Sequence, residues 1–113
     1  MHHRSLSLLF PVLLGACSTT PLVVRTAQGE VVGAQHGATR AFRGIPYAAP
    51  PLGALRFRPP QPALKWSAPL DATRPGKACP QPNTGGYIRE SSEDCLSLSV
   101  WTPAQSTEAK LPV

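Results

Sequence analysis

Cysteine and histidine offer the most specific chemistry in this chain, and both are scarce. The 113 residues contain three cysteines, Cys17, Cys79 and Cys95, and beyond position 3 a single histidine, His36. A nucleophilic thiol needs a base beside it, and His36 stands in the turn-like stretch QHGA without a motif around it. No Cys-x-x-Cys occurs and no histidine is near Cys79 or Cys95, so zinc is not favoured. The sequence therefore offers no metal site and no catalytic cysteine.

The N-terminal stretch MHHRSLSLLFPVLLGAC predicts an export signal over residues 1–16. Arg4 supplies the positive start, residues 6–14 supply an apolar core too short to span a bilayer, and small residues follow. The end of this stretch, Leu-Gly-Ala before Cys17, resembles a bacterial lipobox, in which the cysteine thiol is acylated and becomes the first residue. Several acyl tails give stable membrane anchoring. An ordinary secretory signal with an incidental cysteine is the alternative.

A lipid on Cys17 would make the membrane a partner of this protein and residues 17–21 a short polar tether. The residue after Cys17 is Ser18 rather than Asp, which by resemblance to such lipoproteins implies sorting to the outer membrane, facing the periplasm or the surface. Export also places the other two cysteines in an oxidising compartment, where a pair is expected to close. Cys79 and Cys95 would enclose a loop of about 17 residues, worth about 3 kcal/mol on the chain-entropy account.

The charge of the chain does not indicate a nucleic-acid partner. The formal net charge is +5, from 11 Lys and Arg against 6 Asp and Glu, but the basic residues are dispersed. The densest pair is Arg56 and Arg58 around Phe57, which is too small for a nucleic-acid footprint. No stretch approaches the roughly 18 apolar residues of a membrane-spanning helix.

Short apolar runs separated by turn residues predict strands rather than helices after the leader. The predicted strands are Leu22–Thr26, Glu30–Ala34, Thr39–Arg43 and Cys95–Thr102, the first two forming a hairpin. Residues 44–66 are rich in proline and predict ordered, extended coil, and residues 65–76 and 104–110 predict loops. The alternation of residues 96–101 predicts a half-buried strand, with Leu96, Leu98 and Val100 on one face.

Few large apolar residues are available to build a core. Residues 17–113 contain 18 Leu, Ile, Val and Phe among 97, just below the one-fifth typical of globular chains. With 14 prolines and 9 glycines in the whole chain, we expect this segment to be the edge of a larger body rather than an independent domain.

Several motifs, in order, resemble the N-terminus of the type-B carboxylesterases, the cholinesterase and para-nitrobenzyl esterase branch of the α/β-hydrolases. They are AFRGIPYAAPPLGALRFRPPQP, KWSAPLDAT, CPQP and SEDCLSLSVWTP, and the resemblance runs from about Val23 to Val113. EDCLSLSV is similar to the family's EDCLYLNV, with Ser97 in place of the usual Tyr and Ser99 in place of the frequent Asn. Both replacements are small and polar, so they bear on the local packing of this strand and not on the resemblance to the family.

The resemblance implies an α/β fold, the α/β-hydrolase fold of a parent protein. This chain would supply only its N-terminal β-hairpin strands, Pro-rich coil and disulfide-closed loop, so residues 22–113 would form an incomplete carboxylesterase type-B domain. It also implies that Cys79 pairs with Cys95 and that Arg56 forms an ion pair with Glu93, since the planar guanidinium can meet a carboxylate with two hydrogen bonds. Two exposed charges of little energetic value are the alternative. No cofactor is implied.

The catalytic residues that the resemblance implies are absent from these 113 residues. Ester hydrolysis on this fold uses a Ser in Gly-x-Ser-x-Gly, a His, a Glu or Asp, and a Gly-rich oxyanion loop containing His-Gly-Gly. Neither motif occurs here, and the final Leu111-Pro112-Val113 is similar to the start of the strand that precedes the oxyanion loop. We therefore expect an N-terminal fragment of a serine carboxylic-ester hydrolase acting on small-molecule esters, without catalytic residues of its own.

Three other interpretations are open. The chain could be a short non-catalytic surface lipoprotein, a structural or binding remnant of the esterase fold. It could belong to a family member used for adhesion rather than catalysis. Residues 56–62 also fit the polyproline-ligand pattern R-x-x-P-x-x-P, although this pattern is common by chance and its readers are mostly cytosolic. What is encoded after codon 113 separates the first of these from an esterase.

Overall fold

Strands and irregular segments make up the computed structural model, which describes residues 22–82, 85–86, 88 and 90–112. Its strands are β1 (Leu22–Arg25), β2 (Glu30–His36), β3 (Thr39–Pro46), β4 (Leu70–Asp71) and β5 (Ser97–Thr102), with 3-10 turns at Gly53–Leu55 and Thr107–Ala109. No helix in these ranges is long and apolar enough to cross a membrane. The predicted signal peptide, Cys17 and the tether fall outside the described residues.

The first two strands form the predicted hairpin, with Leu22 opposite Gly33 and Arg25 opposite Glu30. Thr26 closes the turn, because its amide and its hydroxyl both donate hydrogen bonds to the carbonyl of Gly29, at 2.9 and 2.8 Å. Its hydroxyl oxygen also accepts from the amide of Gln28. Local polar chemistry therefore sets this turn, as expected for a threonine beside a glycine-containing reversal.

The strands pair in the order β1-β2-β3-β5, and each of these pairs is antiparallel. β4 is added in parallel to β2, through Val31 opposite Leu70 and Val32 opposite Asp71. Chain reversals make the pairs β1–β2 and β2–β3 local, whereas β4 joins β2 from almost 40 residues away and β5 joins β3 from more than 50. The segment around β4 is thereby attached to the sheet through the first half of β2.

A β-bulge interrupts the pairing of β3 with β5. Phe42 faces Val100 and Ile45 faces Leu98, so Arg43 and Gly44 together stand opposite the single residue Ser99. The extra residue turns the amide of Arg43 away from β5, and this amide donates to the carbonyl of Ala72 at 2.7 Å. The bulge therefore connects β3 to the chain just after β4.

The core of the described segment is small. Val31, Phe42 and Ala72 form a buried cluster, and the partly buried Leu22, Val24, Ile45 and Trp66 pack against it. Trp66 is held in place by its indole N–H, which donates to the carbonyl of Glu30 at 2.7 Å, and by its amide, which donates to Gln28 at 3.1 Å. Apolar packing of the ring and the hydrogen bond of the indole N–H therefore both hold Trp66 in position.

Several predicted elements need correction. β2 extends to His36 and β3 to Pro46, and β5 begins at Ser97 rather than Cys95. The stretch 65–76, predicted as loop, contains β4. The Pro-rich segment contains a 3-10 turn and an isolated bridge between Ala48 and Pro62, and residues 107–109 form another 3-10 turn. These elements depend on pairing with distant residues or on single turns, which periodicity does not detect.

The prediction that β5 is half-buried is wrong for the described segment. Leu98 and Val100 are each 42% exposed and Trp101 is 60% exposed, so the apolar residues of both faces meet solvent. The alternation is present, but no described element packs on either face strongly enough to bury it. Burial of a strand depends on the layer packed against it, and alternation alone does not supply that layer.

Candidate functional site

Cys79 and Cys95 form a disulfide, with their Cα atoms 5.1 Å apart. Cys95 lies two residues before β5, and Cys79 lies eight residues after β4. The bond therefore joins the chain beyond β4 to the entry of β5. We call residues 79–95 the disulfide loop.

A short parallel bridge lies just beside this disulfide. Ala78 pairs with Ser91, since the amide of Ala78 donates to the carbonyl of Glu90 at 3.1 Å and the amide of Ser92 donates to the carbonyl of Ala78 at 2.9 Å. Lys77 is 3.9 Å from the carboxylate of Glu90. Non-covalent contacts thus hold the two ends of the disulfide loop together next to the covalent bond.

Arg56 and Glu93, the ion pair implied by the resemblance, lie together in the structure. Nη2 of Arg56 is 2.7 Å from Oε1 of Glu93, with the two side chains 56% and 39% exposed. Such exposure places the pair in the class of surface ion pairs worth at most about 1 kcal/mol. Its significance is positional, because it joins the Pro-rich segment to the disulfide loop.

The residue after Arg56 has an uncommon backbone conformation. Phe57 has φ of 57° and a side chain that is 93% exposed, with the guanidinium of Arg56 lying 5.2 Å from the ring centroid. A left-handed φ is disfavoured for a bulky residue. This conformation lies between the 3-10 turn Gly53–Leu55 and the two prolines at positions 59 and 60.

Asp71, the last residue of β4, and Thr73 form a hydrogen-bonded turn that the sequence analysis did not predict. Oδ1 of Asp71 accepts from the hydroxyl of Thr73 at 2.7 Å and from its amide at 3.0 Å. The hydroxyl hydrogen bond first, then the amide hydrogen bond, hold the pKa of the Asp71 carboxyl below its ordinary value of 3.8, with a smaller contribution from Arg74. The Asp-x-Thr sequence is the local signal that could have predicted this turn.

Two arginines of β3 are anchored to backbone carbonyls. Arg40 donates from Nη1 to the carbonyl of Ala104 at 3.2 Å, and Arg43 donates from Nη2 to the carbonyl of Thr73. In each side chain the Nε atom is buried without a hydrogen-bond partner. These arginines connect β3 to the segments that follow β5 and β4.

The described residues hold no arrangement suited to ester hydrolysis. His36 lies exposed at the end of β2, before the turn into β3. Within the described ranges no group of three or more His, Cys, Asp or Glu could hold a metal ion. A cavity of about 260 Å³ on the sheet face is lined mainly by apolar side chains such as Val24, Phe42 and Val100, with neither His nor a carboxylate among its described lining residues.

Comparison of the chain with known proteins identifies the family to which it belongs. A profile of the carboxylesterase family matches residues 20–113, which is most of the chain. The chain belongs to the carboxylesterase family. The para-nitrobenzyl esterase branch is represented by a solved PNB esterase structure, which superposes with a TM-score of 0.70 at 39% identity. This superposition covers 74% of this chain and 18% of that one, and it places the fold among the α/β-hydrolases.

Curated relatives give the same assignment at similar identity. The chain is 40% identical to carboxylesterase 1F of Mus musculus over an alignment 133 positions long, which covers 96% of this chain and 24% of the relative. It is 38% identical over 99 residues to para-nitrobenzyl esterase of Bacillus subtilis (strain 168), covering 83% and 20%. The chain thus spans about a quarter or less of the length of these relatives.

The structure brings together four of the five residues singled out from the sequence. The disulfide joins Cys79 to Cys95, and the ion pair joins Arg56 to Glu93. These two cross-connections end close together, because Glu93 is only two positions before Cys95. Cys17, predicted as the lipidation site, lies outside the described residues. The bulge at Arg43 and Gly44 and the bridge at Ala78 were not predicted, because the bridge joins residues 13 apart and the pairs that flank the bulge are 53 and 58 residues apart.

Proposed function

We propose that this chain is the N-terminal part of a serine esterase that hydrolyses small-molecule carboxylic esters. The family match over residues 20–113 carries the proposal. The names of the curated relatives, carboxylesterase and para-nitrobenzyl esterase, support the reaction class. The natural acyl and alcohol groups are left open by this proposal.

The described residues would form part of the enzyme's scaffold and would not take part in bond making or breaking. A serine hydrolase attacks the ester carbonyl with a serine activated by a histidine and stabilises the oxyanion with backbone N–H groups. The 113 residues contain neither Gly-x-Ser-x-Gly nor His-Gly-Gly, so those groups would come from elsewhere in the protein. Here, β3 and β5 would form part of the sheet, and the ion pair and disulfide would fix the loops beside it.

We also propose that the protein is exported and anchored to a bacterial membrane through a lipid on Cys17. The apolar residues 6–14, the small residues at 15 and 16, and the cysteine that follows support this proposal. The disulfide between the remaining cysteines is consistent with an oxidising compartment. By the lipobox resemblance, the outer membrane is the expected destination.

Activity of the full-length protein tests the esterase proposal. We expect hydrolysis of p-nitrophenyl esters of short acyl acids, covalent inactivation by a serine-directed phosphonate, and loss of both after replacement of the Gly-x-Ser-x-Gly serine by alanine. A matched substitution of Ser99, an exposed serine on β5, should leave hydrolysis intact. A full-length product without that motif, or without hydrolysis when folded, would support the short non-catalytic lipoprotein instead.

The anchoring proposal has its own test, because activity and localisation can fail separately. The wild-type protein expressed in a Gram-negative host should incorporate labelled palmitate and sediment with the membrane fraction. The Cys17→Ala variant should lose the label. Cleavage at another position, with an unlabelled soluble product, would show an ordinary secretory signal.

A further inference from the structure

We propose that the Cys79–Cys95 disulfide locks a loop whose ends are already held in place, so that it can open and re-form within the folded protein. The residue next to each cysteine has an anchor of its own. Ala78 is bonded to Glu90 and Ser92 through the parallel bridge. On the other side, Leu96 accepts a hydrogen bond from the amide of Tyr47 at 3.2 Å, just before β5 begins.

A third contact fixes the approach to Cys79. Gly76 packs against the β3–β5 bulge, where its backbone nitrogen lies 2.8 Å from the position that a Cβ on Gly44 would occupy. Gly76 also packs against the side chain of Ser97, the first residue of β5. Reduction of the disulfide therefore leaves the chain before Cys79 packed against the sheet through Gly76, and the chain after Cys95 bonded to Tyr47 through Leu96.

This arrangement favours reversible exchange over unfolding. Cys79 is exposed and Cys95 is half-buried, so an external thiolate can reach Sγ of Cys79. In the reverse direction, the Cys79 thiolate attacks oxidised glutathione and releases one glutathione thiolate. The Cys95 thiolate then attacks Sγ of Cys79 and releases the second. Two protein thiols are oxidised, one glutathione disulfide is reduced to two glutathione molecules, and the two protons lost by the protein thiols are taken up by the two glutathione thiolates.

The consequence is that reduction breaks the covalent connection while the hydrogen bonds and the ion pair beside it remain. The ion pair of Arg56 with Glu93 depends on the entry to β5 rather than on the disulfide, so it should survive reduction. The sheet and its core contain neither cysteine. Reduction should thus free the two thiols while the described strands and the bridge of Ala78 with Ser91 keep their structure.

The test uses the folded full-length mature protein, reduced by dithiothreitol under native conditions. We expect mass spectrometry to show new alkylation of Cys79 and Cys95, an unchanged far-ultraviolet circular dichroism spectrum, and recovery of the disulfide on addition of oxidised glutathione. The Ala78→Pro variant removes the amide donor of the bridge and should re-form the disulfide about tenfold more slowly. The Ala78→Ser variant keeps the amide and should match the wild type.

Three results would overturn the proposal: cooperative unfolding on reduction, equal re-formation rates in Ala78→Pro and Ala78→Ser, and rapid exchange of bridge amides in the reduced wild type. The last measurement needs no variant, so the test stands even if Ala78→Pro does not fold. Hydrogen exchange of the amides of Ala78 and Ser92 should stay protected after reduction. Enzyme activity is not a readout, so this test is independent of the proposed esterase function.

Discussion

Replacing Gly44 with alanine should destabilise the protein strongly, because this glycine combines an unusual backbone angle with a close backbone neighbour. Its φ is 71°, a conformation that costs a residue bearing a Cβ about 1–2 kcal/mol. A Cβ would also lie 2.8 Å from the nitrogen of Gly76 and 3.0 Å from the carbonyl oxygen of Arg74. Both are backbone atoms, so relief requires movement of the chain and adds about 1–3 kcal/mol.

The unfolded state partly offsets this cost. Alanine restricts the unfolded chain more than glycine does, which favours folding by about 0.4–1 kcal/mol. The expected net loss in the free energy of unfolding for Gly44→Ala is therefore about 2–4 kcal/mol. The assay is urea unfolding of the full-length protein, followed by circular dichroism, with the midpoint and slope compared between variants.

Gly37 provides a matched control in the turn between β2 and β3. Its φ is 58°, and a Cβ placed on it meets no atom within 4 Å. Gly37→Ala therefore isolates the backbone cost and should destabilise by about 1 kcal/mol or less. If Gly44→Ala costs no more than Gly37→Ala, the close packing of the bulge against Gly76 does not contribute and the reasoning is refuted.

Three further predictions concern polar contacts. A double-mutant cycle with Arg56→Ala and Glu93→Ala, measured by urea unfolding, should give a coupling energy no larger than about 1 kcal/mol, since both side chains are partly exposed. A coupling energy above about 2 kcal/mol would contradict the assignment of this contact as a solvent-screened surface ion pair. Because the pKa of Asp71 is lower in the folded state, its contribution to stability is present above the unfolded pKa and is lost as pH falls through the folded pKa. Stability measured from about pH 5 to pH 2 should thus fall less steeply in Asp71→Asn, and equal slopes would oppose this assignment. Trp66→Phe removes the indole donor to Glu30 and should cost about 1–3 kcal/mol in thermal or urea unfolding, whereas an unchanged midpoint would show that the bond contributes nothing.

Local chemistry explains which strands could be predicted from the sequence. The hairpin of β1 and β2 follows from a β-branched run, a turn containing Thr26 and Gly29, and a second apolar run. The disulfide could be predicted from the number of cysteines once Cys17 was assigned to the lipid anchor. The hairpin could be inferred from residues close together in the sequence, and the disulfide from the number of cysteines.

Contacts between distant segments explain what the sequence did not reveal. β4 is two residues long and exists because Leu70 and Asp71 pair with β2. The bulge at Gly44 depends on the register of β5 against β3. Arg56 and Glu93 could be paired only through the family resemblance, since charge and spacing alone do not select one carboxylate among six acidic residues.

The geometry also shows what positions the two cross-connections. β5 is antiparallel to β3, so the residues that follow β3 lie beside the residues that precede β5. The hydrogen bond from Tyr47 to Leu96 continues this pairing beyond the strands, and it brings the Pro-rich segment next to the disulfide loop. An ion pair worth at most about 1 kcal/mol cannot impose this arrangement. The β-ladder therefore positions Arg56 and Glu93, and the ion pair and the disulfide secure loops that the sheet has already brought together.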